Sequence, residues 1–303
     1  MPRSANKTYP LLMSSKGLHI NVDPVRLPYD HEKGFAHLVE AVNVWIDDTG
    51  RIKRRKGYTK QVDMPAHSMF CEDGQNCLFV SNGKLYQLNP DFTAVLIREN
   101  IGNSRMSYCQ VADRIFYANG AINGVFMGGT SQPWEAEYVG PETSRVLTPP
   151  PVGSILSYLK GRIYIAQGNF AYYTETYDPY HMDALRNFIP LPGNISMLHA
   201  LEDVLWIGTN SSIYALMVGE DMQLRQKAYF GAISGTDLSV PAHQVFDTQE
   251  VEQVCMFMSK YGVCVGDNSG SLKCFTSDRV DLPDAIRGSA FFDKGQYITT
   301  IQG

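Results

Sequence analysis

The sequence predicts an all-β fold, and three observations lead to it. The composition, with 44% hydrophobic, 11% aromatic and 19% charged residues, is typical of a globular chain that buries a core. Seventeen Tyr, fourteen Phe and 26 Gly favour strands joined by tight turns, because aromatic side chains suit a pleated surface and Gly supplies positive φ. A strand–turn–strand pattern also recurs along the chain. Together these features predict a β-propeller-like ring of about five to six blades with an irregular N-terminal extension.

The recurring unit is an apolar strand, a polar turn and a second strand in which large apolar residues alternate. Its turns are spaced by 48, 42 and 59 residues, close to the ~40–50 residues of a propeller blade. One blade cannot bury both of its faces, whereas a closed ring of blades can. The aligned turn residues are Asp113, Gly161, Asp203 and Gly262. The copies are Cys77 to Leu88, Met106 to Asn119, Ile155 to Tyr173, Met197 to Leu216 and Val254 to Phe275.

The chain is expected to divide into an N-terminal extension, residues 1–40, and the propeller-like domain, residues 41–303. The run HEKGFAHLVEAVNV at 31–44 is expected to be irregular or weakly helical before a strand pair at 41–46 and 51–58. Three prolines at 149–151 fix three φ angles and remove three backbone donors, which predicts a connector between blades.

The segment Tyr177 to Pro192 is the longest insertion without a strand pattern. It is expected to be either a contact loop on the rim or a plain surface loop. Its aromatic and acidic residues Tyr177, Asp178 and Tyr180 are candidates for a protein–protein interface.

A second interface candidate is a group of five cations within six residues, here called the cationic arm. A solvated hairpin is the alternative interpretation of the same run. Cations on one arm of an otherwise acidic chain, with net charge −5, would set the register between neighbouring copies. The arm consists of Arg51, Lys53, Arg54, Arg55 and Lys56.

The six cysteines form no CxxC pair and no zinc-like grouping, so free buried thiols are favoured over disulfides. No stretch approaches the ~20 apolar residues that span a bilayer, and no membrane contact is expected. The cysteines are Cys71, Cys77, Cys109, Cys255, Cys264 and Cys274.

No phosphate-binding loop, nucleophile elbow or HExxH pair occurs, so the sequence predicts no enzyme, no catalytic residue and no cofactor. His31 and His37 flank Glu32, but no third metal ligand follows at a recognisable spacing, and no metal site is expected. Five carboxylates in the second half deserve comparison with a glycosidase pair. They are Glu175, Asp178, Asp183, Glu202 and Asp203, of which Asp203 occupies a turn position of the repeat.

Three stretches carry a resemblance to a known group of proteins. They are GLHINVDPVRLP at 17–28, EAVNVWIDDTGRIKRRKGYT at 40–59, and the stretch from Gly153 to Thr236, which includes GSILSYLKGRIYIAQGNFAYYTE and YFGAISGT. In these stretches the chain resembles structural proteins of tailed-bacteriophage virions. The resemblance implies a virion component of the head–tail or tail region that is present in multiple copies in a symmetric ring and assembled in the host cytoplasm.

The partners that the resemblance implies are other virion structural proteins: portal, adaptor or tail proteins. Contact with DNA is left open. The chain is shorter than the large tail-nozzle proteins, which favours a collar, stopper or adaptor-bound subunit.

Two other functions fit the same fold. A carbohydrate-binding or carbohydrate-active propeller would place a rim site at Tyr172, Tyr173, Tyr177 and Asp178. A scaffold of the WD-repeat type is disfavoured, because no GH or WD dipeptide occurs at blade spacing.

Overall fold

The computed structural model describes residues 14–30, 33–47, 49–72, 74–138, 145–219, 221–246 and 252–303. In these residues the regular structure is β-strand, apart from the two short 3₁₀ helices Pro24–Arg26 and Ala242–Gln244. Four strands precede the ring: β1 (Ser14–Leu18), β2 (Phe35–Leu38), β3 (Val44–Ile46) and β4 (Ile52–Arg54). The β1 and β2 strands pair in parallel, and β3 and β4 form an antiparallel hairpin.

Five four-stranded antiparallel sheets follow, each built from strands that are consecutive or nearly so, as in the blades of a propeller. Blade 1 contains β5 (His67–Phe70), β6 (Cys77–Ser81), β7 (Lys84–Leu88) and β8 (Ala94–Arg98). Blade 2 contains β9 (Ser107–Val111), β10 (Arg114–Ala118), β11 (Asn123–Met127) and β12 (Thr130–Gln132). A short strand, β13 (Leu147–Thr148), lies between blades 2 and 3.

The second half of the chain continues the same plan. Blade 3 contains β14 (Ile155–Leu159), β15 (Arg162–Gln167), β16 (Phe170–Tyr173) and the outer strand β18 (Phe188–Pro190). Between β16 and β18 lies β17 (Met182–Asp183), which is not part of the blade and pairs with β13. Blade 4 contains β19 (Ile195–Ala200), β20 (Val204–Thr209), β21 (Ile213–Val218) and β22 (Met222–Ala228). Blade 5 contains β23 (Leu238–Pro241), β24 (Gln253–Ser259), β25 (Gly262–Gly266) and β26 (Leu272–Cys274). Blade 6 is the hairpin β27 (Arg287–Asp293) and β28 (Gln296–Gln302).

Alternation along the strands explains why the blades stack. In β15, Ile163 and Ile165 join a buried cluster with residues of blade 2. Tyr164 and Ala166, on the opposite face of the same strand, join a cluster with residues of blade 4. Five such clusters occur, and each is shared by two consecutive blades, from blades 1 and 2 through to blades 5 and 6. The core therefore lies between blades, as a stack of twisted sheets requires.

The innermost strands of the six blades surround a central cavity of about 830 Å³. Arg105, just before β9, contacts residues of blade 6 and of the segment that leads into blade 5. Its guanidinium donates to the carbonyl oxygens of Gly288 at 2.6 Å and Gly235 at 3.1 Å. These bonds connect blade 2 to blade 6 and to the lead-in of blade 5, and so help to close the ring.

The predicted propeller-like fold with five to six blades is confirmed, as is the connector at 149–151, which lies between β13 and β14. The register of the repeat was partly wrong. Asp113, Gly161 and Asp203 lie between the first and second strands of their blades, whereas Gly262 begins the third strand of blade 5, after the turn from the second. The cause is the first strand of that blade, Leu238–Pro241, which is only four residues long, ends in proline and is not followed by a tight turn, since the 3₁₀ helix Ala242–Gln244 lies between it and β24.

Three further expectations were wrong. The segment 177–192 was expected to carry no strand, but it contains β17 and β18, which are formed by pairing with β13 and β16 and not by a pattern of their own. The run at 31–44 was expected to be irregular or weakly helical, but it contains the strand Phe35–Leu38, whose pairing with β1 satisfies backbone groups that an isolated short helix would leave exposed. Cys71 and Cys77 form a disulfide across the β5–β6 connection. The hairpin brings the two residues together, a proximity that spacing alone does not reveal. The other four thiols are free, and Cys109, Cys255 and Cys264 are buried.

Candidate functional site

The cationic arm lies on the β3–β4 hairpin, and all five of its cationic residues are exposed. Asp47 builds the turn, since its carboxylate accepts from the backbone N–H groups of Thr49 and Arg51, each at 3.0 Å. Lys53 pairs with the same carboxylate at 2.7 Å. The hydrogen bond from Lys53, together with those from Thr49 and Arg51, holds the pKa of Asp47 well below its usual range.

Exposed apolar side chains accompany these cations. Trp45 faces Lys53 across the hairpin and is 40% exposed, and Tyr58 is 72% exposed. The Arg55 guanidinium lies 5.3 Å from the centroid of the Tyr58 ring. The arm thus combines positive charge with aromatic surface, a composition common in protein–protein contacts.

The second set of interface candidates, in the insertion between β16 and β18, is held against blade 2. Asp178 accepts from the Tyr180 backbone N–H at 3.1 Å and contacts His181 Nδ1 at 2.9 Å. The Tyr180 hydroxyl accepts from Arg114 at 3.0 Å, and its ring packs edge-on against Phe116. Asp178 and Tyr180 therefore have partners inside the chain, whereas Tyr177 is 83% exposed.

Two of the carboxylates compared with a glycosidase pair are held by a single guanidinium. Arg145 donates to Asp183 at 3.1 Å and to Glu175 at 3.0 Å. Asn187 also donates to Glu175, at 2.7 Å, and the Asp183 side chain is only 2% exposed. This network anchors the insertion to the segment that carries β13. Both carboxylates are therefore engaged by protein donors, with Asp183 buried and Arg145 partly exposed.

The tyrosines of the proposed glycan site do not form one platform. Tyr172 and Tyr173 are neighbours in β16 and therefore point to opposite faces of blade 3. Tyr172 lies near Phe170 and Phe188, whereas Tyr173 packs against Tyr164.

The central cavity contains a repeated contact between inner strands. A serine hydroxyl of one blade accepts a backbone N–H of the next at three successive junctions. Ser68 accepts from Met106 at 2.9 Å, Ser107 from Leu156 at 2.9 Å, and Ser157 from Ala200 at 3.1 Å. These bonds satisfy amides that the inner edge of each sheet would otherwise present unpaired to the cavity.

At the junction of blades 4 and 5, a histidine makes the corresponding side-chain bridge. His199 of β19 contacts Asp237 Oδ2 through Nδ1 at 3.1 Å and Ser239 Oγ through Nε2 at 2.9 Å. All three side chains line the central cavity, together with Arg105. Sequence reasoning missed this group, although the spacing Asp-x-Ser at the start of a strand places both side chains on one face.

The described residues contain no group of three or more His, Cys, Asp or Glu arranged to hold a metal ion. Of the residues weighed as metal ligands, His31 and Glu32 lie outside the described residues, and His37 packs edge-on against His19 with ring centroids 5.1 Å apart. In the described part of the chain, no helix has the length and apolar character needed to cross a membrane.

No protein-family model and no curated protein matches this chain. Its fold is similar to that of streptogramin B lyase, with TM-score 0.49 and 12% identity over 86% of each chain. It is also similar to the extracellular domain of BT4673 from B. thetaiotaomicron, with TM-score 0.50 and 10% identity over 84% of this chain. A gluconolactonase from Xanthomonas campestris gives TM-score 0.43 and 13% identity, covering 79% of this chain and 83% of the other.

The chain spans about a third, 35%, of the BT4673 protein that it matches. The structural neighbours thus include enzymes, but at identities that concern the fold alone.

Proposed function

We propose that this chain is a structural subunit of a tailed-phage virion that binds neighbouring virion proteins in a collar, nozzle or adaptor-bound position of the head–tail or tail region. The exposed cationic arm is the observation that carries the proposal. This role depends on contacts between proteins and needs no catalysis.

The arm suits a contact between subunits because its charge is presented on a short hairpin outside the blades. Its turn is fixed by Asp47, so the cations do not have to be ordered from a flexible loop on binding. The rest of the chain is acidic overall, with net charge −5 despite these cations. A neighbouring copy therefore offers the opposite charge, which favours a defined register in a ring.

Blade 6 supports the same role. In the described residues β28 pairs with β27 alone, so the other edge of this strand carries backbone groups that a neighbouring protein can pair with. Ile286, next to the hairpin, is 71% exposed and Phe291 is 50% exposed. An open edge flanked by apolar side chains is a common way for subunits to join.

The test is a charge reversal in the arm, Arg54→Glu with Arg55→Glu. We expect the double variant to fold normally and to join particles lacking the chain less well than the wild type. Raising the salt concentration to about 1 M should weaken wild-type incorporation, because the Debye length falls to about 3 Å. The difference in incorporation between the wild type and the double variant should therefore become smaller at high salt.

The matched control reverses two exposed cations on the outer strand of blade 4, Arg225→Glu with Lys227→Glu, which changes the net charge equally. We expect this control to join particles at the wild-type level. Unchanged incorporation of the arm variant, or an equal loss in both variants, would show that the arm is not the contact.

A further inference from the structure

At the junction of blades 4 and 5, the serine hydroxyl contacts a histidine that an aspartate also holds, which is not so at the three other junctions described above. The hydroxyls of Ser68, Ser107 and Ser157 each accept a backbone N–H of the next blade. Ser68 Oγ also contacts a histidine, His67 Nδ1 on its own strand at 2.9 Å, whereas Ser239 Oγ contacts His199 Nε2 of the neighbouring blade at 2.9 Å, and Ser239 is exposed. Its oxygen is therefore accessible and lies next to a base.

The histidine is held in an orientation that suits proton transfer. Its Nδ1 lies 3.1 Å from Asp237 Oδ2, and the side chains of His199 and Asp237 are 14% and 20% exposed. A carboxylate at Nδ1 favours the tautomer that carries its proton on Nδ1, which leaves Nε2 free to accept the proton of Ser239. Asp237 immediately precedes β23 and Ser239 is the second residue of that strand, so both reach the same histidine from one face.

The order Asp–His–Ser is the hydrogen-bonded arrangement that activates a serine nucleophile, recognised by geometry and not by position in the sequence. The cavity volume of about 830 Å³ falls in the ~300–1,000 Å³ range of small-molecule sites. Arg105 contributes a cation to the wall of the same cavity, and its guanidinium contacts the carbonyl of Gly235, two residues before Asp237.

We propose that Ser239 is an activated nucleophile and that the central cavity hydrolyses small carboxylic esters. Ser239 Oγ attacks the ester carbon while His199 Nε2 takes the hydroxyl proton. The bond from carbon to the leaving oxygen then breaks, and the proton passes from His199 to the departing alcohol. Water, deprotonated by His199, attacks the acyl group and releases the acid together with the original serine.

This activity goes beyond the structural role proposed above and does not depend on it. The first experiment treats the folded protein with a fluorophosphonate probe, followed by intact mass measurement and mapping of the labelled peptide. We expect one adduct, located on Ser239, together with hydrolysis of a p-nitrophenyl ester of a short acid. Ser239→Ala removes the nucleophile and is expected to abolish both signals.

A second variant separates activation from the mere presence of the serine. His199→Gln keeps a polar side chain of similar reach but cannot act as the base, so the rate of labelling should fall by about 10²–10⁴-fold. The matched control is Ser154→Ala. Ser154 also lines the cavity, but its hydroxyl donates to the carbonyl oxygen of Ala166 at 3.4 Å, and we expect labelling at the wild-type rate.

Thermal unfolding of each variant shows whether its fold is retained. Absence of labelling in the folded wild type, or an unchanged labelling rate in folded His199→Gln, would overturn the proposal and leave the three residues as a bridge between blades. Incorporation of Ser239→Ala into particles is measured in parallel. Loss of labelling with normal incorporation supports the esterase without bearing on the virion role.

Discussion

Gly266→Ala tests the packing between blades 4 and 5. Gly266 is the last residue of β25, and its backbone lies outside the left-handed region, so alanine causes no backbone strain there. An added Cβ would, however, lie 2.3 Å from Cε2 and 2.5 Å from Cζ2 of Trp206. Trp206 of blade 4 is fully buried, and its indole N–H donates to the carbonyl oxygen of Asp267 at 3.2 Å.

The indole is a rigid ring held by packing and by this hydrogen bond, so it cannot move aside at low cost. Forcing a methyl group into such a core costs about 1–3 kcal/mol, and losing the hydrogen bond adds about 1 kcal/mol. We therefore expect Gly266→Ala to lower the free energy of unfolding by about 2–4 kcal/mol. Equilibrium urea unfolding, followed by tryptophan fluorescence and far-UV circular dichroism, measures this change.

The matched control is Gly219→Ala, because a Cβ at Gly219 would meet no heavy atom within 4 Å. Its effect should stay within about 0.5 kcal/mol. Equal stabilities of the two variants would refute the packing of Trp206 on Gly266 and with it the stacking of blades 4 and 5.

Three further predictions concern one contact between blades and two contacts within a blade or its insertion. Ser157→Ala leaves a β19 backbone N–H without its acceptor, and we expect the unfolding free energy to fall by about 1–3 kcal/mol in urea titrations. Burial alone would raise the pKa of Asp183, but a backbone N–H and the Arg145 guanidinium bring it below its ordinary value of 3.8. The ionised Asp183 carboxylate therefore stabilises the fold at pH values above 3.8, and this stabilisation is lost as pH falls through the lowered pKa of the folded state. The difference in unfolding free energy between wild type and Asp183→Asn should accordingly shrink in acid. The Sγ atoms of Cys264 and Cys274 lie 2.7 Å apart on adjacent strands, so mild oxidation should join them in a disulfide. The disulfide is detected as protection of both thiols from alkylation, and the Cys274→Ser variant should show no such protection.

Local features of the fold were predictable from the sequence. Turn residues such as Gly161 and alternating strands such as Arg162–Gln167 depend on backbone conformation and on burial of one face, and both leave a periodic pattern. The first strand of blade 5 was missed because four residues are too few to leave a recognisable pattern in the sequence. Its pairing with β24 forms the strand. Its stability comes from tertiary contacts, which outweigh local preference.

The candidate site was less accessible to sequence reasoning. His199 lies about forty residues before Ser239, in another blade, and the register between inner strands is set by the packing of whole sheets. No short motif marks such an arrangement, because the three residue types are common and their spacing depends on blade length. The cationic arm, in contrast, was visible as a local charge cluster, and the structure adds its exposure and the Asp47 turn.

Membership of the chain in a virion ring can be measured as a gain in particle mass. The purified chain is measured by native mass spectrometry alone and then after mixing with particles that lack it. We expect particles to gain several copies in a number fixed by their symmetry, and the gain to be lost with Arg54→Glu and Arg55→Glu. A chain that leaves the mass of such particles unchanged would contradict the structural role.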